Sequence, residues 1–145
     1  MKPMCKIVPI ILFICAFSFS ASFAQEESVE PYNRGVEALQ QDKLETAIDM
    51  FSRSLEIDPT DHLALNNRGV AYKRKGVYDK AIADYSRALE IKPDYYFAQV
   101  NRGVAKFKKG DLEGARVDLE TCAKMKKKDA IIYTTLGLIY QQKKE

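Results

Sequence analysis

The chain has 145 residues, of which 23 are lysine or arginine and 20 are aspartate or glutamate, so its formal net charge is +3. This length suits one compact domain. Two of the three cysteines lie within the first 15 residues, and the rest of the chain has one histidine and one cysteine. The common zinc cages built from histidine and cysteine are therefore excluded.

The first 24 residues differ from the rest of the chain. Lys2 and Lys6 precede a short apolar run at 7–19, and a small-x-small ending at 22–24 comes before an acidic stretch. This order is typical of a secretory signal peptide cut after Ala24. We therefore predict a periplasmic or secreted protein, with a protein anchored in the membrane by an uncleaved segment as the alternative.

Removal of this segment leaves Cys122 as the only cysteine. An exported protein with one cysteine has no internal disulfide, so packing must supply its stability. Cys122 takes the place that Ser54 and Ala88 have in earlier copies of the repeat described next. We interpret it as a small buried contact and not as a reactive thiol.

From residue 28 onward the chain repeats itself every 34 residues. The string Asn-Arg-Gly-Val occurs three times, an alanine follows each of these glycines after 12 residues, and a large apolar residue follows the alanine after four more. Such a period indicates a repeat array. The repeated positions are Gly35, Gly69, Gly103 and Gly137; Ala47, Ala81 and Ala115; and Phe51, Tyr85 and Leu119.

Each repeat is predicted to form two helices, called A and B. Helix A ends at the turn near Asp42 in the first repeat and at Gly76 and Gly110 in the next two. Glycine readily takes up the left-handed conformation that stops a helix. Helix B ends before Pro59 or Pro93 in the first two copies, since proline cannot continue it. Asp111 is a plausible N-cap for the third helix B. The small glycine and alanine let the two helices cross closely, and the large apolar residue fills the remaining space.

The third copy departs from this pattern. Lys106 stands where the second copy has Tyr72, Lys127 replaces the proline, and residues 126–128 make a basic turn.

The pattern resembles the tetratricopeptide repeat, a 34-residue unit with the signature W-x2-L-G-x2-Y, then A-x3-F, then P. Residues 133–140 carry the first half of this signature with Tyr133 in place of tryptophan, and residues 69–93 carry most of the second copy. The resemblance implies an all-α, right-handed α-solenoid of three helix-turn-helix repeats and a terminal helix. Its domain spans residues 25–145, with repeats at about 28–61, 62–95 and 96–129 and a half-repeat at 130–145.

The resemblance also implies that the A helices line a concave groove that binds peptides. Residues at four positions of helix A share one face, and here this face is apolar for a surface that a solenoid leaves open. Val29, Leu39, Ile131 and Gln141 lie on the same face. The predicted partner-binding residues are Tyr32, Val36, Leu63, Asn66, Val70, Lys73, Phe97, Val100, Val104, Phe107, Thr134 and Leu138. We expect glutamate at Val70 or Val104 to abolish binding with little change in stability.

The carboxylate clamp of the family, which holds acidic peptide tails, is not matched. The places of its lysine and arginine hold Tyr32 and Phe97 or their neighbours, and only Asn67 and Asn101 are candidates to contribute. The recurring Asn33, Asn67 and Asn101, each followed by arginine, have two interpretations. In the first, the asparagine side chains donate hydrogen bonds to the backbone of a partner. In the second, they form hydrogen bonds between repeats while the arginine stems cover apolar surface, and we favour this second interpretation.

Catalytic and nucleic-acid functions find little support. His62, the only histidine, has no serine or cysteine placed to use it as a base, and there is no phosphate-binding glycine loop. Residues 26–61 hold ten acidic and three basic residues, whereas residues 96–145 hold six and eleven. The basic rear lacks interleaved aromatic residues, so we interpret it as solvated helix surface and not as a nucleic-acid patch. We predict no enzyme activity, no metal and no cofactor.

The predicted function is a scaffold that binds a protein or peptide partner in the groove. The competing hypothesis is a self-assembling subunit, because the last helix, about Ala130–Lys143, is not followed by a helix B. Ile132 and Ile139 can pack back on the third repeat. Tyr133, Leu136 and Tyr140 lie on the face that a following helix would cover, so we expect them to lack an internal partner and to form the possible dimer face. A sensor that holds a small molecule or lipid in the groove is a third class without support in the sequence.

Overall fold

The computed structural model describes residues 29–125 and 129–143, and every structural statement below concerns these residues. The predicted signal segment at 1–24 and the basic turn at 126–128 lie outside them.

The described chain folds into seven α-helices with no strand among them, and consecutive helices from the second onward pack against each other. The predicted all-α architecture is thereby confirmed, and the terminal helix has nearly its predicted bounds. In chain order the helices are α1 (29–40), α2 (Leu44–Ile57), α3 (His62–Arg74), α4 (Tyr78–Ile91), α5 (Tyr96–Lys109), α6 (Leu112–Lys124) and α7 (Ala130–Gln142).

The turns between helices lie where the sequence predicted them. Asp42, Gly76 and Gly110 have φ angles of 57°, 76° and 95°, so each adopts the left-handed conformation that ends a helix. Helices α2 and α4 end two residues before Pro59 and Pro93. The Asp111 carboxylate accepts a hydrogen bond from the Gly114 backbone N–H at 2.9 Å, which confirms it as the N-cap of α6. Asp61 and Asp129 cap α3 and α7 in the same way.

Within each full repeat, the glycine of helix A receives the large side chain of helix B. A Cβ atom added at Gly69 would lie 2.6 Å from Cε1 of Tyr85, and one at Gly35 would lie 2.7 Å from Cε1 of Phe51. Gly103 stands in the same relation to Leu119 at 2.8 Å from Cγ. These contacts confirm that the glycine is there for close helix crossing.

The buried residues form two clusters. The first joins Ala47, Phe51, Ala81 and Tyr85 with small residues of α3 and α5. The second joins α5, α6 and α7 through residues that include Leu119. The packing prediction for the terminal helix is confirmed, since Ile132 and Ile139 are fully buried in the second cluster.

Candidate functional site

The A helices lie on the inner side of the array. The backbones of α3 and α5 and those of α5 and α7 approach within 8 Å between Cα atoms, whereas those of α2, α4 and α6 do not approach one another so closely. Helix α1 is tied to α3 by two hydrogen bonds, from Asn67 Nδ2 to Tyr32 Oη at 3.1 Å and from Arg74 Nη1 to the Leu39 carbonyl at 2.8 Å. An array whose A helices touch while its B helices splay apart is concave on the A-helix side.

A row of exposed apolar side chains follows the amino-terminal edge of this concave face. Each A helix contributes one residue at the same repeat position, and the four side chains are between 42% and 60% exposed. Solvent-exposed apolar side chains that adjoin in this way usually mark a binding surface. We call this set the apolar row, and its members are Val29, Leu63, Phe97 and Ile131.

The valines of the predicted groove are less accessible than expected. Val36, Val70 and Val104 are half-buried and pack against the two core clusters. A glutamate at Val70 or Val104 would place a charge against the core, which is costly. The expectation that these variants keep their stability is therefore corrected, and the exposed members of the apolar row replace them as test positions.

Two residues of the predicted groove are buried, namely Asn66 and Val100. Val100 packs in the second core cluster, and the Asn66 side chain is engaged in hydrogen bonds to its neighbours. Both support the floor of the groove and offer little contact surface, which corrects the sequence-based assignment. The other predicted groove residues are exposed at Thr134 and Leu138 and half-buried at Tyr32, Lys73 and Phe107.

Four hydrogen bonds cross the floor from α1 to α5. Asn67 Nδ2 donates to Tyr32 Oη at 3.1 Å, and Asn66 Nδ2 donates to Asn67 Oδ1 at 3.2 Å. Asn101 Nδ2 donates to Asn66 Oδ1 at 3.2 Å, and Lys73 Nζ donates to Asn101 Oδ1 at 2.7 Å. The structural interpretation of the recurring asparagines is thus confirmed for Asn67 and Asn101. We call these five side chains the polar chain.

The arginines that follow these asparagines do more than cover apolar surface. Arg102 donates to both carboxylate oxygens of Asp118 at 2.9 and 2.7 Å, and its Nη1 reaches Ser86 Oγ at 3.3 Å. Arg68 makes the same bidentate pair with Asp84 and reaches Ser52. Each arginine lies on helix A and therefore joins helix B of its own repeat to helix B of the preceding repeat. Sequence reasoning missed both pairs.

Aromatic side chains surround Phe97, one of the two aromatic residues at or beside the clamp places. Its ring packs edge-to-face against Tyr95 at 6.0 Å and Tyr96 at 5.7 Å between centroids. His62 packs against Tyr95 at 5.0 Å. Burial raises the pKa of Tyr95, so its hydroxyl stays neutral at physiological pH. This part of the surface is suited to apolar contacts, and the Lys92 ammonium lies beside it, with Nζ 5.7 Å from the centroid of the Tyr95 ring.

The possible dimer face is partly covered within the chain. Leu136 is buried in the second core cluster, and the Tyr140 hydroxyl donates to Glu120 Oε1 at 2.6 Å. The expectation that these two side chains lack an internal partner is therefore wrong. Tyr133 is exposed as expected. A dimer through this face stays an untested prediction with less exposed surface than assumed.

Chemically reactive groups are sparse in the described part of the chain. Among residues 29–125 and 129–143, no group of three or more histidine, cysteine, aspartate or glutamate side chains is arranged to hold a metal ion. Cys122 is buried, and desolvation raises the pKa of its thiol to about 11, so it is protonated at neutral pH. No described helix has the length and apolarity needed to cross a membrane.

Two adjoining stretches of the chain, residues 32–61 and 62–95, match models of the tetratricopeptide repeat. A search of curated protein sequences gave no match. The sequence resemblance is thus confirmed for the first two repeats.

Solved structures with the same fold cover most of the chain. The first tetratricopeptide domain of Spaghetti (RPAP3), bound to the HSP90 peptide SRMEEVD, is 25% identical with a TM-score of 0.80, over 83% of this chain and 96% of that one. The second such domain of human RPAP3, in complex with the HSP70 peptide SGPTIEEVD, is 26% identical with a TM-score of 0.76, over 81% and 98%. The Sgt2 domain from Aspergillus fumigatus is 26% identical with a TM-score of 0.75, over 82% and 80%.

Proposed function

Because this chain carries tetratricopeptide repeats, we propose that it is an exported protein-interaction module whose concave face binds a peptide or an extended segment of a partner protein. Two structural neighbours were solved with peptides bound, which supports a peptide-binding role for this fold. The observation that carries the proposal for this chain is the apolar row. Its four exposed side chains lie along one edge of the concave face.

The partner is expected to present apolar side chains. The apolar row supplies area that gains free energy when it leaves water, about 25 cal/mol per Å². The polar chain links α1, α3 and α5, which carry three of the four side chains of the apolar row, so this part of the surface is formed before the partner arrives. Binding to a rigid surface loses less conformational entropy than binding to a mobile one.

Substitution of Phe97 by glutamate tests this surface. The side chain is 60% exposed, so the variant should fold normally, while burial of the phenylalanine ring against a partner would be lost. We expect binding to weaken about 10- to 100-fold, the equivalent of about 1.5–3 kcal/mol of apolar burial. Peptides selected by the wild-type protein from a random displayed library provide the ligands, and their affinities are measured by calorimetry.

Val117 provides the matched control, because it is 52% exposed but lies on α6, a B helix away from the concave face. Val117→Glu should bind the selected peptides as tightly as the wild type. Equal losses in both variants, or no loss in Phe97→Glu, would place the binding surface elsewhere. Failure of the library to yield any peptide that depends on Leu63 or Phe97 would contradict the proposed function.

Export forms the second part of the proposal, and it rests on the pattern of residues 1–24. We expect the mature native protein to begin at Gln25 and to be recovered from the periplasm or medium. Amino-terminal sequencing of the native protein checks this. An intact Met1 in the membrane fraction would favour the uncleaved anchor instead.

A further inference from the structure

A cavity with three cationic side chains opens between the carboxyl-terminal ends of α3 and α5. Its volume is about 300 Å³, and it is lined by Lys73, Arg74, Tyr78, Val104 and Lys108. No acidic residue is among these lining residues. Val104 belongs to the concave face, so the cavity adjoins the proposed binding surface.

The positive charges in this cavity are only partly neutralised. Lys73 is half-buried, and its Nζ donates to the neutral amide oxygen of Asn101 at 2.7 Å. Burial, with a smaller contribution from the neighbouring Arg74, lowers the pKa of Lys73. Arg74 pairs with Asp42 at 3.1 Å, whereas Lys108 makes no ion pair with any described residue.

The lysines that follow Arg74 and Lys108 in the sequence lie outside the cavity lining and form ion pairs. Lys75 pairs with Glu45 at 2.7 Å, and Lys109 pairs with Asp79 at 2.5 Å. Basic residues in the last turn of a helix are favoured by the helix dipole, which accounts for their sign. The helix dipole does not explain why lysines from two helices converge on one cavity. Nor does it explain why the half-buried ammonium group of Lys73 is bonded to a neutral amide.

We propose that this cavity binds the side-chain carboxylate of an aspartate or glutamate residue of the partner peptide. The inference rests on the proposed function and adds to it the chemistry of one ligand residue. An ammonium group that keeps unused N–H donors in a half-buried place binds a carboxylate through charge-assisted hydrogen bonds. The subsite adjoins Asn101 through Lys73, but it does not use the lysine and arginine places of the family's carboxylate clamp, which here are occupied by Tyr32 and Phe97 or their neighbours.

The position of the subsite also orients the peptide. Leu63 and Lys73 lie ten residues apart on α3, which corresponds to about 15 Å along the helix axis. An extended peptide covers this distance in about four or five residues. The carboxylate therefore lies about four or five residues from the apolar side chain that contacts Leu63 or Phe97.

The probe for the subsite is acetyl-Glu-Glu-amide, with acetyl-Gln-Gln-amide as the uncharged control, titrated at constant ionic strength. The side-chain nitrogen resonances of the lysines are followed by NMR in the full chain. We expect saturable shifts at Lys73 and Lys108 with a dissociation constant on the order of 10 mM, and no saturation with the glutamine probe. Lys73→Gln and Lys108→Gln should each weaken binding about fivefold or more.

Lys124→Gln is the matched control, since Lys124 is exposed on α6 and the variant loses the same charge. Uniform shifts of all lysines, saturation that survives both cavity variants, or no saturation up to about fivefold above the expected dissociation constant would each overturn the proposal. Tighter binding of inorganic phosphate at the same lysines would overturn it in favour of a phosphate site. The dipeptide has no apolar side chain, so its failure leaves the proposed function standing.

Discussion

Replacement of Asp118 by alanine is expected to lower the free energy of unfolding by about 3 kcal/mol, because removal of one partner from a buried ion pair leaves an uncompensated charge. Asp118 is 3% exposed. It accepts two hydrogen bonds from Arg102, and Lys106 Nζ lies 2.8 Å from its Oδ2. Two mostly buried cations would lose their counter-charge.

Asp84 offers a comparison within the same chain. It is buried and receives the same bidentate pair from Arg68, but no lysine joins it, because Tyr72 stands in the place of Lys106. We expect Asp84→Ala to destabilise less than Asp118→Ala, by about 1.5 kcal/mol, the lower end of the contribution of a hydrogen bond to a charged group. The comparison isolates the contribution of Lys106.

Urea denaturation followed by circular dichroism measures both effects, provided that the slope with denaturant stays constant. Combining Asp118→Leu with Arg102→Met and Lys106→Leu removes all three charges, and it should recover much of the stability lost in Asp118→Ala. An Asp118→Ala variant within 1 kcal/mol of wild type would show that the ion cluster contributes little.

The 34-residue period was sufficient to predict most of the fold. Gly76 and Gly110 identify the turns, Pro59 and Pro93 follow the ends of the B helices, and Gly69 must face Tyr85 once two helices are assumed. These features are local in sequence or repeat in register, so no knowledge of tertiary distances was needed.

The candidate site was predicted less completely, since accessibility depends on how closely neighbouring A helices approach. Asn66 and Val100 share repeat positions with accessible residues, yet both are buried between helices. A helical wheel places a side chain on a face but does not report the distance to the next helix.

The ion pairs left a signal in the sequence that was not used. Arg68 is followed after 16 residues by Asp84, and Arg102 after 16 residues by Asp118. The first repeat has Met50 at the corresponding place, and there Arg34 is exposed and pairs only with Glu30 at 3.6 Å among the described residues. A search for charge pairs that recur in register would have found them.

Gly69 and Gly137 occupy the same repeat position, yet alanine is expected to have opposite effects at the two. At Gly69 the new Cβ would lie 2.6 Å from a ring carbon of Tyr85, a side chain with no room to move because it is fully buried. Overpacking of this kind costs about 1–3 kcal/mol. Alanine recovers roughly 0.5–1 kcal/mol in a helix interior, so the net loss should be about 0.5–2 kcal/mol.

At Gly137 no described atom lies within 4 Å of the added Cβ, so only the helix-forming gain of roughly 0.5–1 kcal/mol remains. The Gly137→Ala variant should therefore unfold at higher urea concentration than wild type, and Gly69→Ala at lower concentration. In Gly103→Ala the added Cβ would lie 2.8 Å from Leu119 Cγ, so this variant should also unfold at a lower urea concentration than wild type. Stabilisation by alanine at both Gly69 and Gly137 would mean that the crossing of α3 and α4 is looser than the contact with Tyr85 requires.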